Sequence, residues 1–295
     1  MAGFRSNLKT HLSQLCLQFF LPILFLFSAG ALSQSEDKAI CNRMFSFAFE
    51  HALINKPIGD VVTTIGKQFV GKPYKAHTLD EPGKEHLVVD LRGFDCVTFI
   101  ENALAISRCI KQDRLTFLDY RRELQSLRYR GGVIDGYSSR LHYFTDWITD
   151  NERKGILKNV TKELGGTPLQ KKLNFMTAHR ASYAGLADDS AFARTSRVEE
   201  GLDSAALYYI PKSRIAEVQG GVHSGDIIAI TTDIEGLDVS HTGIAIRTSD
   251  GSLLYLHAPN VHGQVQVTKE TLEEHVKKFH SYTGIIVARP LDPPQ

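Results

Sequence analysis

Three side chains in this sequence have the types and setting for nucleophilic catalysis: Cys96, His241 and His257. Cys96 follows Asp95 at the head of DCVTFIENALAISR, whose apolar positions predict a mostly buried helix with Asp95 as its N-cap. A thiol in the first turn of a helix meets unpaired backbone N–H groups and the positive end of the dipole, and both lower its pKa. His241 opens the strand-like run HTGIAIR, and His257 closes the next one within LLYLHA. Antiparallel neighbours bring both imidazoles to one edge of a sheet, near the sulfur. The chemistry of such a set is acyl transfer. His241 accepts the thiol proton to form a thiolate–imidazolium pair and later donates to a leaving amine, while His257 holds its ring in the productive tautomer. The backbone N–H of Cys96 donates to the developing oxyanion, and Tyr74 adds a second donor. A lone cysteine would equally well be packing, because cysteine is among the most buried residue types. The two histidines favour chemistry. Such an ion pair predicts activity that rises as the pair forms and falls as His241 loses its proton.

Other chemistries lack their signatures. The chain contains no HExxH, no paired CxxC and no GxGxxG, so neither a metal nor a nucleotide cofactor is expected. The stretch Gly59 to Lys67 has glycine spacing one residue too long for a phosphate loop, and Gln68 replaces the hydroxyl residue. The neighbours His86 and Asp90, and His223 and Asp226, read as solvated or core-satisfied side chains in a chain with 12 histidines. With 34 basic and 33 acidic residues the formal charge is +1, which gives no electrostatic case for a nucleic-acid partner.

Periodicity supplies the elements that must hold these groups. Ile40, Met44, Phe45, Ala48, Phe49 and Leu53 recur at three and four, and the pattern repeats from Ile54 to Phe69 after a break at Pro57 to Gly59, which predicts two helices. A polar loop then runs to Gly83, followed by a short strand, His86 to Leu91. GDIIAI (225–230), HTGIAIR (241–247) and LLYLHA (253–258) predict an antiparallel meander. The segment from about 110 to 222, including GGVIDGYSSRLHYFTDWITDN and the helix-like NFMTAHRASYAGL, reads as an insertion packed over the core. At 42% hydrophobic and 23% charged, the chain can bury a sizeable core. Residues 1–33 read as a secretory leader: Arg5 and Lys9 precede LCLQFFLPILFLF, and the small residues of SAGALS follow. Leu15 to Phe27 is shorter than the ~20 residues of a membrane span and is interrupted by Pro22, so no stable membrane insertion is expected. Cys16 lacks the small residues that precede a lipid-anchored cysteine. Cleavage after Ala31 or Ser33 leaves one catalytic domain, 34–295, with three cysteines, Cys41, Cys96 and Cys109. If one helix carries Cys96 and Cys109, its rise sets them roughly 20 Å apart and excludes a bond between them. Only Cys41 could pair with either.

GKPY (71–74), FDC (94–96), GDIIAI (225–230), SHTGIAI (240–246) and LHAP (256–259) stand in an order that resembles the NlpC/P60 cysteine peptidases. The resemblance spans about Gly71 to Pro259. It implies a papain-like α+β fold, with the nucleophile helix packed on an antiparallel sheet, and bacterial cell-wall peptidoglycan as substrate. It assigns Cys96 as nucleophile, His241 as base, His257 as the third polar residue and Tyr74 as the tyrosine near the nucleophile. Asp95 and Ser240 match positions that, in some endopeptidase members, recognise the free amino end of a stem peptide. The chain departs from the common pattern in having Val97 and Thr98 where Ser and Gly usually follow the cysteine, and in its long insertion.

With GYSSRLHYFTDWI and NFMTAHR, the chain is most similar to the N-acetylmuramoyl-L-alanine amidase-like branch, whose members cut between the muramoyl lactyl group and L-Ala. The resemblance therefore implies an exported, periplasmic cysteine amidase acting on peptidoglycan or muropeptides. The alternative is an endopeptidase cutting the γ-D-Glu–diamino acid bond, and a third reading is a catalytically silent cell-wall binding protein. Tyr137, Arg140, His142, Tyr143 and Trp147 are candidate walls of a substrate pocket, since aromatics stack on sugars and Arg binds carboxylates in a fork. Arg140 and Tyr143 lead that set. Leu141, Phe144 and Ile148 share a helical stripe with these aromatics, which is the packing alternative for Tyr143 and Trp147.

Overall fold

Apolar spacing of three and four builds two N-terminal helices, α1 (residues 33–50) and α2 (Ile58–Gln68), with Pro57 at the N-cap of the second. The computed structural model describes residues 33–80, 83–260 and 263–294. Residues 1–32 of the expected leader, Cys16 among them, lie outside the described residues. The helix carrying the nucleophile candidate is α3 (Cys96–Lys111), followed by α4 (Phe117–Arg128) and α5 (Phe144–Arg153). Next come β1 (Leu157–Asn159), β2 (Thr167–Pro168), the single turn α6 (Phe175–Ala178), α7 (Asp189–Asp203), β3 (Tyr208–Pro211) and the single turn α8 (Ile215–Val218). The predicted meander is β4 (Ile227–Thr232), β5 (Val239–Arg247) and β6 (Leu253–His257). The chain continues through β7 (Gln266–Val267), α9 (Leu272–Lys278) and β8 (Tyr282–Pro290).

These eight strands pair antiparallel, in the order β2-β3-β8-β4-β5-β6-β7, with β1 also on β8. The protein is thus α+β. Strand alternation sorts the core into two faces. Ile227, Ala229, Ile244, Ile246, Leu256, Ile286 and Ala288 pack with α1 to α5. Ile228, Ile230, Ala245, Leu253, Tyr255, Ile285 and Val287 pack with Leu272 and Val276 of α9. The segment between α3 and β4 does more than cover this core, because its strands β1 and β3 complete the sheet along β8.

The expected strand at His86 to Leu91 does not form; residues 85–90 have no regular structure. Side chains take the place of a partner strand. Asp37 Oδ1 accepts the Leu91 N–H at 2.9 Å, Arg128 Nη1 donates to the Val88 carbonyl at 2.6 Å, and the Tyr129 hydroxyl donates to the His86 carbonyl at 2.9 Å. The helix-like NFMTAHRASYAGL yields only α6 and then 3-10 turns at Arg180–Ser182 and Ala184–Leu186. Tyr137 prevents a regular continuation from taking a side chain at Gly185, since its ring fills the space a Cβ would need. Gly225 of GDIIAI sits at φ +87 with its α-carbon against Gly59, so the start of α2 reaches the sheet where two missing side chains permit it. Asp226 is held by Arg289 at 2.8 Å, which accounts for it without a metal. Cys41, Cys96 and Cys109 are all free thiols.

Candidate active site

Asp95 starts α3 as expected. Its Oδ1 accepts the N–H groups of Val97 (3.0 Å) and Thr98 (2.7 Å), and the Asp95 N–H donates to Thr98 Oγ1 at 2.9 Å, closing a capping box. Thr98 is thus half of the device that fixes Cys96 at the first helical position. Thr242 then fastens that position to the sheet, its Oγ1 donating to the Cys96 carbonyl at 2.9 Å.

His241 follows a bulge. Ile230 pairs with His241 but the next residue, Thr231, pairs with Val239, so Ser240 is the extra residue. Bulges re-aim side chains. Here Val239 packs with the helical face, whereas His241 lies with Tyr255 and His257, its ring centroid 6.0 Å from one and 5.0 Å from the other. His241 Nε2 and His257 Nδ1 are 2.7 Å apart, leaving Nδ1 of His241 as the nitrogen for a nucleophile's proton. The sulfur of Cys96 is close enough to this group for its charge to raise the hydroxyl pKa of Tyr255 and Tyr282, after burial, and likewise that of Tyr74.

Electrostatics here differ from the expectation. Burial pushes the Cys96 thiol up to about 12, with the Asp95 charge adding to it and hydrogen bonds involving Thr242 opposing it. Burial also drives the His241 imidazole down to about 3, with help from His275. Both shifts favour a neutral thiol and a neutral imidazole at rest, because desolvating two ions opposes what a helix terminus returns. Signs follow directly: the thiol stays protonated below about 12 and the imidazole unprotonated above about 3. Iodoacetamide alkylation of Cys96 should then rise by about tenfold per pH unit from about pH 6 to about pH 10. A rate already level at about pH 6 would show a preformed thiolate–imidazolium pair instead.

Two adjoining cavities open beside the start of α3. The smaller, about 290 Å3, is lined by Tyr74, Asp95, Val97, Arg140 and His142 among others. The larger, about 1020 Å3, is walled by Tyr137, Arg140, Tyr183 and Arg194 together with the loop carrying Asp80 and Glu85. Both have the size of ligand sites. Arg140 borders both, 7% exposed, with its guanidinium 3.2 Å from Glu85, 3.6 Å from Asp80 and over the Tyr137 ring. Ser240 Oγ is buried with no hydrogen-bond partner among the described residues. Tyr143 takes the packing alternative, in a separate small core with Leu173, Met176, Leu186 and Leu202. Its hydroxyl donates to Glu199 at 2.7 Å and accepts the Met176 N–H at 3.0 Å. Tyr143→Phe should therefore cost about 1–2 kcal/mol in urea unfolding and leave turnover unchanged. Trp147 is fully buried and stacks on Phe144.

A family model described as AmiA-like, N-acetylmuramoyl-L-alanine amidase-like, matches residues 64–285. The chain belongs to this amidase-like family. Among solved structures, an N-acetylmuramoyl-L-alanine amidase from Bacteroides uniformis is 36% identical with a TM-score of 0.75, covering 79% of this chain and 99% of its own. A Bacteroides fragilis protein described as a candidate xylanase is 40% identical with a TM-score of 0.72, covering 77% and 99%. A Legionella pneumophila protein, 19% identical with a TM-score of 0.66 over 88% and 96%, shares the fold. Comparison with curated proteins gives no match. In this amidase-like chain the matched span runs from before Tyr74 to beyond α9, and takes in Cys96, Arg140, His241 and His257.

Sequence reasoning missed Thr242, Tyr255, Tyr282 and His275. Tyr255 was within reach of strand alternation, standing two residues before His257 on β6. His275 had no such signal, since only the packing of α9 against β6 brings it near. No helix among the described residues is long and apolar enough to cross a membrane.

Proposed function

We propose that the protein hydrolyses the amide bond between N-acetylmuramic acid and L-Ala in peptidoglycan or its fragments, with Cys96 as nucleophile. The observation that carries this reading is the 2.7 Å His241–His257 contact together with a half-buried cysteine at a capped helix start, tied through its carbonyl to Thr242, the residue after His241, in a member of an amidase-like family. In the first step the Cys96 sulfur attacks the lactyl carbonyl carbon while His241 Nδ1 takes the thiol proton. The backbone N–H of Cys96 and the Tyr74 hydroxyl receive the oxyanion. Collapse breaks the C–N bond, and His241 returns its proton to the departing L-Ala amine, leaving a thioester. Water, deprotonated by His241, then releases the lactyl carboxylate and restores the thiol.

Arg140 borders both cavities already facing Glu85 and Asp80, so a substrate carboxylate would compete with these two for its guanidinium. The order of motifs supports membership of the NlpC/P60 superfamily with a papain-like core, in a single domain bearing an insertion. The leader pattern supports export to the periplasm. A second reading, cleavage between γ-D-Glu and the diamino acid, is favoured by Ser240, whose Oγ has no hydrogen-bond partner among the described residues and is thus unspent as an acceptor for a stem-peptide amine. Mass spectrometry of defined muropeptides decides between them. The amidase releases an intact L-Ala-led peptide and free sugar, whereas the endopeptidase splits the peptide. Release of xylo-oligosaccharides from xylan, with muropeptides untouched, would overturn both.

A further inference from the structure

Helix α5 begins without a cap of its own. Tyr143 stands at its N-cap and makes no side-chain bond to the first turn, whose N–H groups need partners when buried. The partner comes from the sheet. Asp238 is 2% exposed and lies one residue before β5. Its Oδ2 accepts the Thr145 N–H at 2.7 Å and the Thr145 hydroxyl at 2.8 Å, while its Oδ1 accepts the Val239 N–H at 2.7 Å. One buried carboxylate thus straddles the start of a helix and the start of the strand that carries His241, where its charge complements the positive end of the helix. Arg140, Leu141 and His142, just before α5, border the smaller cavity. Further along β5, Thr242 makes a second fastening, to the Cys96 carbonyl at 2.9 Å.

We propose that Asp238 is a positioning residue for His241: by capping α5 it maintains the bulge from which the imidazole reaches His257. The proposal rests on the reading above for the role of His241 as base. Asp238 fastens β5 to α5, and Thr242 fastens it to α3. Between these points Val239, Ser240, His241 and Thr242 stand against only Thr231, Ile230 and Ala229 of β4, so one residue must leave the ladder. That residue is Ser240, and His241 follows it directly. A strand released at its Asp238 end can straighten, with Ser240 in the regular place opposite Thr231. Residue 238 is then drawn along by one position, about 3.4 Å, which takes its carboxylate out of hydrogen-bond reach of Thr145. The cap and the bulge therefore stand or fall together. Straightening removes the extra twist that a bulge adds and re-aims the neighbouring side chain, away from the 2.7 Å contact with His257. The same carboxylate joins the strand bearing the base to the segment that walls the smaller cavity.

The test is proton NMR of the imidazole N–H shared by His241 and His257, read without substrate, together with steady-state kinetics on a muropeptide. In the unmodified protein that proton should give a downfield resonance protected from exchange. Asp238→Ala should abolish the resonance and lower kcat by about 10- to 100-fold, with KM changed by less than about threefold. Asp238→Asn, which keeps one acceptor oxygen, should recover part of both. Tyr143→Phe, a destabilising change at the same helix start, should alter neither, which separates positioning from a general loss of stability. A retained resonance in folded Asp238→Ala overturns the proposal whatever kcat does. Should that variant not fold, Thr145→Val decides, since it removes the hydroxyl donor and keeps the N–H: a shifted resonance with kcat lowered by about threefold supports the proposal, and no change overturns it. Loss of the resonance with kcat unchanged would strike the reading of His241 as base and leave the role of Asp238 in placing it intact.

Discussion

Cys96→Ala is expected to lower amide cleavage by about 10^4-fold or more while leaving muropeptide binding within a few-fold of the unmodified protein. The variant removes the sulfur whose charge reaches Tyr74 and Tyr255, and with it the proposed thioester. Neither cavity loses its lining, because Asp95, Val97 and Arg140 border the smaller one and Cys96 does not. The capping box uses the Asp95 side chain and the backbone of Val97 and Thr98, and Thr242 holds the Cys96 carbonyl, so Ala at this position keeps every one of these bonds. Calorimetric binding with mass-spectrometric product detection checks both halves. Product formed by the variant at more than about a tenth of the normal rate would mean that another group is the nucleophile.

Arg128→Met should cost about 3–5 kcal/mol of stability at neutral pH, because it breaks a buried ion pair from one side. Arg128 of α4 donates from Nε to Glu101 of α3 at 2.7 Å, and the two side chains are 3% and 2% exposed. Its Nη1 also holds the Val88 carbonyl in the irregular segment leading to α3. Met keeps the apolar stem but leaves the Glu101 carboxylate buried and unpaired. The pH dependence identifies the cause. Burial raises the Glu101 pKa above its ordinary 4.5 and Arg128 lowers it, so removing Arg128 raises it further. An acid whose folded pKa is raised contributes stability below its unfolded pKa and loses it as pH rises through the folded one. The variant should therefore regain stability as the pH falls toward 4.5, and the double variant with Glu101→Leu should recover most of the loss at pH 7. Urea unfolding at both pH values measures this; a deficit independent of pH would place the cost in packing instead.

How much was legible follows from the kind of interaction involved. Asp95 as N-cap, the helix behind Cys96 and the meander β4 to β6 are local patterns, read from spacing alone. His241 and His257 were placed together because neighbouring antiparallel strands leave few choices of register. The bulge at Ser240 was not readable, since one extra residue in β5 has meaning only against its partner β4. The same holds for β1 and β3, whose few residues become strands because β8 offers them an edge. Residues 86–91 alternate like a strand, yet buried Asp37, Arg128 and Tyr129 satisfy their backbone in place of a partner. The upward push on the Cys96 thiol was not legible for a related reason: the helix dipole is visible in sequence, but the surroundings that desolvate the sulfur are not.

The position of β8 in the sheet also governs how the molecule comes into being. It is the last strand in chain order, yet it sits between β3 and β4 and pairs with β1, whose register joins Leu157 to Pro290. Until the chain has been synthesised through Pro290, β4 is an uncovered apolar edge and the loop that must close is long, a topology that folds slowly and exposes strand surface meanwhile. The strand bearing His241 is braced only when β8 has docked. A growing polypeptide therefore carries Cys96, His241 and His257 well before the proposed catalytic centre is assembled.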